Sequence, residues 1–117
     1  MPLECVVSTD ELYYLITVEG EMTSGCCNVV LDITHGQIPS IDRPVIMDMS
    51  GVEYIDSRGI GIIVSLFTHI KKTGYQFLLV SVRPNVLKII KMTALQTILS
   101  LHPTIDSALS EINGNRP

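Results

Sequence analysis

The stretch that decides the fold runs from Val45 to Leu66 and reads VIMDMSGVEYIDSRGIGIIVSL. Its opening apolar run, from Val45 to Met49, is too short for a helix and is typical of a buried parallel strand. Ser50-Gly51 then predicts the end of this strand. Asp56 and Ser57 are both good N-cap residues, and a periodic apolar segment begins directly after them. The stretch therefore predicts a strand, a turn and a long helix whose first turn holds the Ser57 hydroxyl near the surface.

The long helix carries an apolar stripe that should pack on the sheet. At helical spacing this stripe consists of Ile60, Ile63, Val64, Phe67 and Ile70. Ile62 falls nearly opposite the centre of the stripe, with Gly61 and Ser65 as small neighbours. An exposed apolar residue beside a candidate cap serine suits a docking surface. Spacing alone leaves a second interpretation equally open, in which Ile62 packs on a neighbouring helix.

Length and composition are those of one folded domain. A chain of 117 residues with 46% hydrophobic residues can bury a core and is not disordered. The net charge of −4 argues against a nucleic-acid partner. No apolar stretch suits a transmembrane helix and the N-terminus does not resemble a signal peptide, so we expect a cytoplasmic protein without direct membrane insertion. The three cysteines lack metal-binding spacing and predict neither a disulfide framework nor a metal site.

Strand and helix patterns alternate on both sides of the central stretch. Two β-rich runs, 3–8 and 12–19, predict an N-terminal hairpin. A helix is predicted from about Ser24 to His35, with Cys26 on its apolar face and Gly36 ending it. Further strands are predicted at 77–82 and 98–101, and further helices from Pro84 and over 106–112. The result is an α/β fold, a mixed sheet of about five strands covered by about four helices. We expect a single domain over 1–117 with an ordered core of about 3–112.

The order of elements, the run VIMDMSGVEYIDSRGIGIIV at 45–64 and the later SVRPNVLKIIKMTAL at 81–95 resemble a STAS domain. Within that superfamily the chain is similar, over nearly its whole length, to stand-alone bacterial anti-sigma factor antagonists. The resemblance implies partner switching. An unphosphorylated antagonist binds an anti-sigma factor that is also an ATP-binding serine kinase, which releases the sigma factor. Phosphorylation abolishes this binding, and a metal-dependent serine phosphatase restores it.

By position, the resemblance implies that Ser57 is the phosphoacceptor. It implies a partner-binding surface composed of Glu21, Thr23, Asp56, Ser57, Arg58, Gly59, Ile60, Gly61 and Ile62. It implies a monomer or weak dimer that has no catalytic residue and no cofactor of its own. The ATP and Mg²⁺ of the phosphoryl transfer would belong to the kinase.

Three positions depart from the pattern of the family. Met22-Thr23 follows Gly20-Glu21 where an aspartate is usual, and Arg58 replaces a small residue beside the acceptor serine. Ala94 stands where many members have a glycine at the end of the third helix. The first two departures bear on the partner contacts, because Arg58 could neutralise part of a phosphate on Ser57. The third bears only on local backbone geometry.

Other interpretations of the same residues stay open. Without the resemblance, Ser57 is most simply a structural N-cap, and Asp48 is a buried carboxylate that could orient the Ser57 turn. An enzyme is disfavoured, because Ser57 lies outside a GxSxG motif and His69 is about 18 Å further along the same helix. Gly59-Ile60-Gly61 is weak as a nucleotide-binding loop. Among binding proteins, the alternatives are a stressosome-type STAS scaffold or a STAS subunit that regulates a transporter ATPase.

Overall fold

The computed structural model describes residues 3–23 and 28–114. Within these ranges the chain forms five strands and four α-helices, which confirms the predicted α/β class and mixed sheet. In chain order the elements are β1 Glu4–Thr9, β2 Tyr14–Met22, α1 Asn28–Gln37, β3 Val45–Ile55, α2 Ser57–Lys71, β4 Phe77–Val80, α3 Pro84–Met92, a short 3₁₀ turn Leu95–Thr97, β5 Ser100–His102 and α4 Ile105–Gly114. None of these helices is long and apolar enough to cross a membrane.

The strands lie in the sheet in chain order, from β1 to β5. Strands β1 and β2 form the predicted antiparallel hairpin, in which Thr9 pairs with Tyr14. Each later neighbour is parallel, so β2, β3, β4 and β5 all end at the same edge of the sheet. We call this the carboxyl edge, and Ser57 follows directly after β3 there.

Two apolar clusters cover the two faces of the sheet. The larger contains buried residues of α1, α2 and α3 packed on the strands, among them Val30, Ile63 and Ile90. The smaller joins α4 to the opposite face, through Ile46, Leu78, Val80, Ala108 and Ile112. Each fully buried aliphatic side chain contributes about 1.5 to 3 kcal/mol. The helices are therefore held mainly by these two clusters, and the start of α2 is anchored by the larger one.

Strand β3 is longer than predicted, and the expected break at Ser50-Gly51 is wrong. The strand continues to Ile55 through two irregularities in its pairing with β2. At the first one, the Asp48 Oδ1 atom accepts a hydrogen bond from the Ser50 N–H at 2.9 Å. A Cβ on Gly51 would lie 2.6 Å from the Glu19 Cγ atom, so glycine permits the close approach of β2. The pair is a bulge within a strand that runs on to the Ser57 turn.

Helix α1 differs from its prediction at its C-terminus. Its predicted start at Ser24, and Cys26 on its apolar face, lie outside the described residues. The helix runs on to Gln37, so Gly36 belongs to its last turn and does not follow it. Val30 and Thr34, one turn apart, are its buried residues. The helix thus presents a narrow buried face to the larger cluster.

Candidate functional site

Helix α2 begins with a cap made by Asp56. The backbone of Asp56 is extended, and its Oδ1 atom accepts hydrogen bonds from the Arg58 N–H at 2.9 Å and the Gly59 N–H at 3.1 Å. Ser57 is the first helical residue, and its side chain is exposed. Of the two cap candidates in the sequence, Asp56 is therefore the cap, and Ser57 does not need its hydroxyl for that purpose.

The Ser57 hydroxyl has no hydrogen-bond partner within residues 3–23 and 28–114. The guanidinium of the exposed Arg58 beside it likewise makes no ion pair with any described residue. Both groups point into water at the N-terminal end of a helix, where the free N–H groups and the helix dipole favour an anion. The position is therefore suited to carry a negative group.

Gly59 seats this first turn on the end of β2. A Cβ at this position would collide with the Met22 carbonyl oxygen and would lie 2.6 Å from the Ile55 Cγ1 atom. The same Met22 carbonyl accepts a hydrogen bond from the Asp56 N–H at 3.1 Å. Any larger residue would push the helix off the strand ends, so Gly59 determines where Ser57 lies.

Gly61 is the opposite case, although it is only two residues away. It is exposed, and a Cβ built on it would have no heavy atom within 4 Å. Glycine inside a helix costs about 0.5 to 1 kcal/mol relative to alanine. No contact with residues 3–23 or 28–114 requires this cost, so Gly61 leaves an open patch on the outer side of α2.

Of the two interpretations of Ile62, the one that makes it an exposed docking residue is wrong. Its side chain is 5% exposed and belongs to the larger apolar cluster. The buried residues of α2 are Gly59, Ile60, Ile62, Ile63, Leu66 and Ile70. Because the contact at Gly59 draws that side of the helix inward, Leu66 is fully buried while Val64 and Phe67 are only half-buried. The buried face of α2 is therefore rotated about the helix axis relative to the predicted stripe, and Ile62 lies in the core.

The predicted surface at the start of α2 is therefore reduced. Ile60 is also buried, so Ser57, Arg58 and Gly61 are its exposed members there. Glu21 and Thr23 lie at the adjacent end of β2, and both are half-buried. The two strand ends meet there, because Glu21 pairs with Tyr54 in the sheet.

Tyr54 is a candidate site residue that the sequence did not predict. It lies two positions before the Asp56 cap, and 47% of it is exposed, which is unusual for a large aromatic side chain beside a candidate site. Its neighbours Val52 and Ile55 are fully buried. Following the strand pattern past Ser50-Gly51 would have placed Tyr54 in β3 and drawn attention to it.

Helix α3 holds the extended half of β3 from the side. The Arg83 Nε atom donates a hydrogen bond to the Ser50 carbonyl at 2.8 Å, and the Asn85 Nδ2 atom donates to the Glu53 carbonyl at 2.7 Å. These bonds join segments more than thirty residues apart, at separations of 33 and 32. They fix the strand that leads into the Ser57 turn, whereas Asp48 contacts the bulge at Ser50 and not the turn itself.

Comparison with known proteins identifies the family. Residues 6–108 match the family model of the STAS domain. The chain belongs to the STAS domain family. Over 70 residues it is 34% identical to a Thermotoga neapolitana protein provisionally named an anti-sigma factor antagonist. That match covers 60% of this chain and 62% of the relative, so it spans somewhat less than two thirds of that protein.

Solved structures share the STAS fold over almost the whole chain. The crystal structure of a Thermotoga maritima protein, also provisionally named an anti-sigma factor antagonist, has a TM-score of 0.86 at 22% identity, covering 93% of this chain and 94% of that one. The anti-sigma factor antagonist SpoIIAA in its unphosphorylated form has a TM-score of 0.77 at 15% identity, covering 97% and 100%. The names of these relatives describe regulatory proteins, and the prediction of a protein that is not an enzyme agrees with them.

Proposed function

We propose that this STAS domain is a cytoplasmic anti-sigma factor antagonist that acts by partner switching, with Ser57 as its phosphoacceptor. The observation that carries the proposal is the exposed Ser57 hydroxyl at the first turn of α2, where the neighbouring Asp56 makes the cap. No hydrogen bond from the described part of the chain occupies this hydroxyl. A hydroxyl that makes no hydrogen bond to the described residues can be modified while the fold is kept.

Phosphorylation at Ser57 would change the surface of the domain more than its stability. A phosphate adds about −1.5 to −2 charges at neutral pH, and a helix N-terminus tolerates an anion. Inside a packed interface the same charge, without a partner, costs on the order of 4 kcal/mol, or about a thousandfold in affinity. Asp56 makes the local field more negative, whereas Arg58 offsets part of it. The modification therefore acts on what can bind.

The proposed partner is an anti-sigma factor that is also a serine kinase and binds ATP. It would contact the open start of α2, where Ser57, Arg58 and Gly61 reach the solvent, together with Glu21 and Thr23 at the end of β2. Binding of the unphosphorylated domain releases the sigma factor. The kinase transfers the terminal phosphoryl group of ATP to the Ser57 oxygen, and a metal-dependent phosphatase hydrolyses the phosphoserine. The domain, a monomer or weak dimer, supplies the docking surface and the acceptor hydroxyl.

The relatives support this proposal through their names. The Thermotoga neapolitana protein carries the name of an anti-sigma factor antagonist, and SpoIIAA is described in an unphosphorylated form, which implies a phosphorylated one for that protein. Because these relatives are 34% and 15% identical to this chain, the role of Ser57 is tested directly in this chain. The exposed hydroxyl is the feature of this chain on which that test acts.

The test begins with a pull-down by the unphosphorylated domain, followed by identification of a co-purifying ATP-binding kinase. Isothermal titration calorimetry with that kinase then compares the wild type with Ser57→Ala and Ser57→Asp. We expect Ser57→Ala to bind like the wild type and to accept no phosphate by mass spectrometry. Ser57→Asp should bind about a thousandfold more weakly while its unfolding free energy stays within about 1 kcal/mol of the wild type.

A charge control separates the site from a general charge effect. Ser110 is also exposed on a helix, α4, which covers the opposite face of the sheet. Ser110→Asp adds the same charge and should leave kinase binding unchanged. Equal affinity of the wild type and Ser57→Asp would refute the proposed switch, and phosphorylation at a serine or threonine other than Ser57 would refute the proposed acceptor.

A further inference from the structure

A second surface feature lies at the carboxyl edge, beyond the end of β4 and β5. It is a cleft of about 450 Å³ between α3 and the segments that follow these strands. Volumes of about 300 to 1,000 Å³ are usual for small-molecule sites, and ligands of sheets with parallel strands bind beyond the carboxyl ends of the strands. Ser57 and its surroundings do not line this cleft. It is a separate place in which a ligand can bind.

Apolar side chains form both walls of the cleft. On α3, Val86 and Ile90 are fully buried in the larger cluster, whereas Leu87 and Lys91, one turn apart, face the cleft. The other side is lined by Leu101, with Val82 at one end. Leu87, Leu101 and Val82 are all half-buried, so each offers apolar surface that a ligand would remove from water.

Lys91 gives the cleft its electrostatic character. It is exposed at the mouth, and no described residue forms an ion pair with it. His102, the other titratable residue of the lining, is committed to α4. Its Nδ1 atom lies 2.8 Å from the Ser107 Oγ atom, and its Nε2 atom lies 3.3 Å from the Glu111 Oε1 atom. Lys91 is therefore the lining residue whose ammonium group is not paired with any described residue.

One residue of the lining, Ser81, has an unusual backbone conformation. Ser81 has a φ of +57°, which is rare for a residue other than glycine. Its N–H donates to the His102 carbonyl at 3.1 Å, and its hydroxyl donates to the Pro103 carbonyl at 3.3 Å. These bonds tie the two strand ends together and turn the chain toward α3. Strained residues of this kind are concentrated at ligand sites.

We propose that this cleft binds a small amphipathic anion of the class of medium-chain carboxylates. The hydrocarbon chain would lie between Leu87 and Leu101, and the carboxylate would meet the Lys91 ammonium at the mouth. A cationic or neutral ligand with the same chain would forgo that ion pair. The proposal does not depend on Ser57 or on the partner of α2.

The test is an NMR titration of the ¹⁵N-labelled protein with octanoate, 1-octanol and octylammonium, each below its aggregation concentration. We expect saturable shifts at Leu87, Lys91 and Leu101 with octanoate. Because an exposed ion pair contributes up to about 1 kcal/mol, octanoate should bind about threefold to fivefold more tightly than octanol, and octylammonium more weakly still.

Two lysine variants provide the matched comparison. Lys91→Gln should abolish the preference for octanoate over octanol. Lys88→Gln removes an equal charge from the same helix at an exposed residue outside the cleft, and it should retain the preference. Equal binding of octanoate and octanol by the wild type, equal losses in both variants, or shifts confined to other surfaces would each overturn the proposal.

Discussion

The two ends of β2 and β3 are built in opposite ways. At the amino end, the Tyr14 hydroxyl donates to the Asp42 Oδ1 atom at 2.6 Å, and the Arg43 Nε atom donates to the same oxygen at 2.9 Å. Arg43 also donates through Nη1 to the Asp10 carbonyl at 2.6 Å and lies over the Tyr14 ring. Polar groups there are satisfied by one another.

At the carboxyl end the exposed groups turn outward. The Ser57 hydroxyl and the Arg58 guanidinium have no partner in the described ranges, Tyr54 projects into water, and Gly61 leaves an open patch. The polar groups of the amino end thus stabilise the fold, whereas the carboxyl end presents Ser57 and Arg58 to the solvent, where the proposed partner would bind. Substitutions should therefore separate stability from binding according to the end they change.

The largest effect on stability is expected at Gly59, where a contact with the Met22 backbone also positions the turn that carries Ser57. Gly59→Ala should destabilise the domain by about 3 kcal/mol, because the new methyl group collides with the Met22 backbone. Chemical denaturation measures this change. Gly61→Ala, two residues away, should instead stabilise the fold by about 0.5 to 1 kcal/mol, because it removes a glycine from an open helix position. Similar losses in both variants would contradict the described seating of α2.

Tyr54→Ala should sharpen the contrast from the binding side. Loss of an exposed aromatic anchor typically weakens an interface by about 1 to 2 kcal/mol, so we expect kinase affinity to fall by about fivefold to thirtyfold. The unfolding free energy should change less than it would for a buried tyrosine, because 47% of Tyr54 is exposed. Tyr75, at 40% exposure, lies just before β4 at the other edge, and Tyr75→Ala should bind normally. Unimpaired binding by Tyr54→Ala would exclude Tyr54 from the interface.

Tyr14→Phe tests the amino end, and the expected outcome is reversed. Loss of the hydrogen bond to Asp42 should destabilise the domain by about 1 kcal/mol without altering kinase binding. Tyr13→Phe is the control, because no side-chain hydrogen bond from the described residues engages the Tyr13 hydroxyl. Weaker kinase binding by Tyr14→Phe would show that the two ends are not independent.

The pH dependence of this difference has a definite sign. The hydrogen bond to Asp42, followed by burial, raises the pKa of Tyr14, so its contribution is complete below the usual tyrosine pKa of about 10 and is lost as the pH rises through the raised value. The hydrogen bonds from Arg43 and then Tyr14 lower the pKa of Asp42. Its contribution is complete above the usual value of about 3.9 and is lost as the pH falls through the lowered one. Denaturation across the acid and alkaline ranges should show the alkaline loss only in the wild type, whereas the acid loss should persist in weaker form in Tyr14→Phe, because Arg43 still lowers the pKa of Asp42.

The smallest effect on stability is expected at Ala94, which lies between the end of α3 and the 3₁₀ turn. Ala94 has a φ of +60°, a conformation that favours glycine, as the comparison with the family anticipates. Ala94→Gly should stabilise the fold by about 0.5 kcal/mol and leave both binding surfaces unchanged. Ala108→Gly, the same change at a buried helical residue, should destabilise it. Destabilisation by both would show that Ala94 is not strained.

Much of the fold was predictable because its signals are local. The apolar run after Pro44, the acidic cap before a periodic segment and the alternation of strands with helices led to β3, α2 and a five-stranded mixed sheet. The errors occur where a local signal is ambiguous. Ser50-Gly51 predicts a strand end by composition, but it forms a bulge because Glu19 and Asp48 shape the pairing around it.

The candidate site likewise contains features that local sequence predicts and features that depend on packing. That Ser57 lies at a helix start next to a cap residue followed from residues adjacent in the chain. The burial of Ile62 did not, since the rotation of α2 depends on how closely Gly59 approaches Met22. The exposure of Tyr54 likewise depends on packing between segments that are distant in sequence.

By itself, the amino-acid sequence determined the family, the order of elements and the position of one hydroxyl at the start of one helix. Those features arise from short-range propensities, caps and apolar periodicity, which neighbouring residues specify. Tertiary packing, by contrast, sets which side of α2 is buried, brings Arg83 and Asn85 onto the second half of β3 and opens the cleft beside Lys91. These depend on steric fit and hydrogen bonds between residues far apart in the chain, which no local pattern encodes.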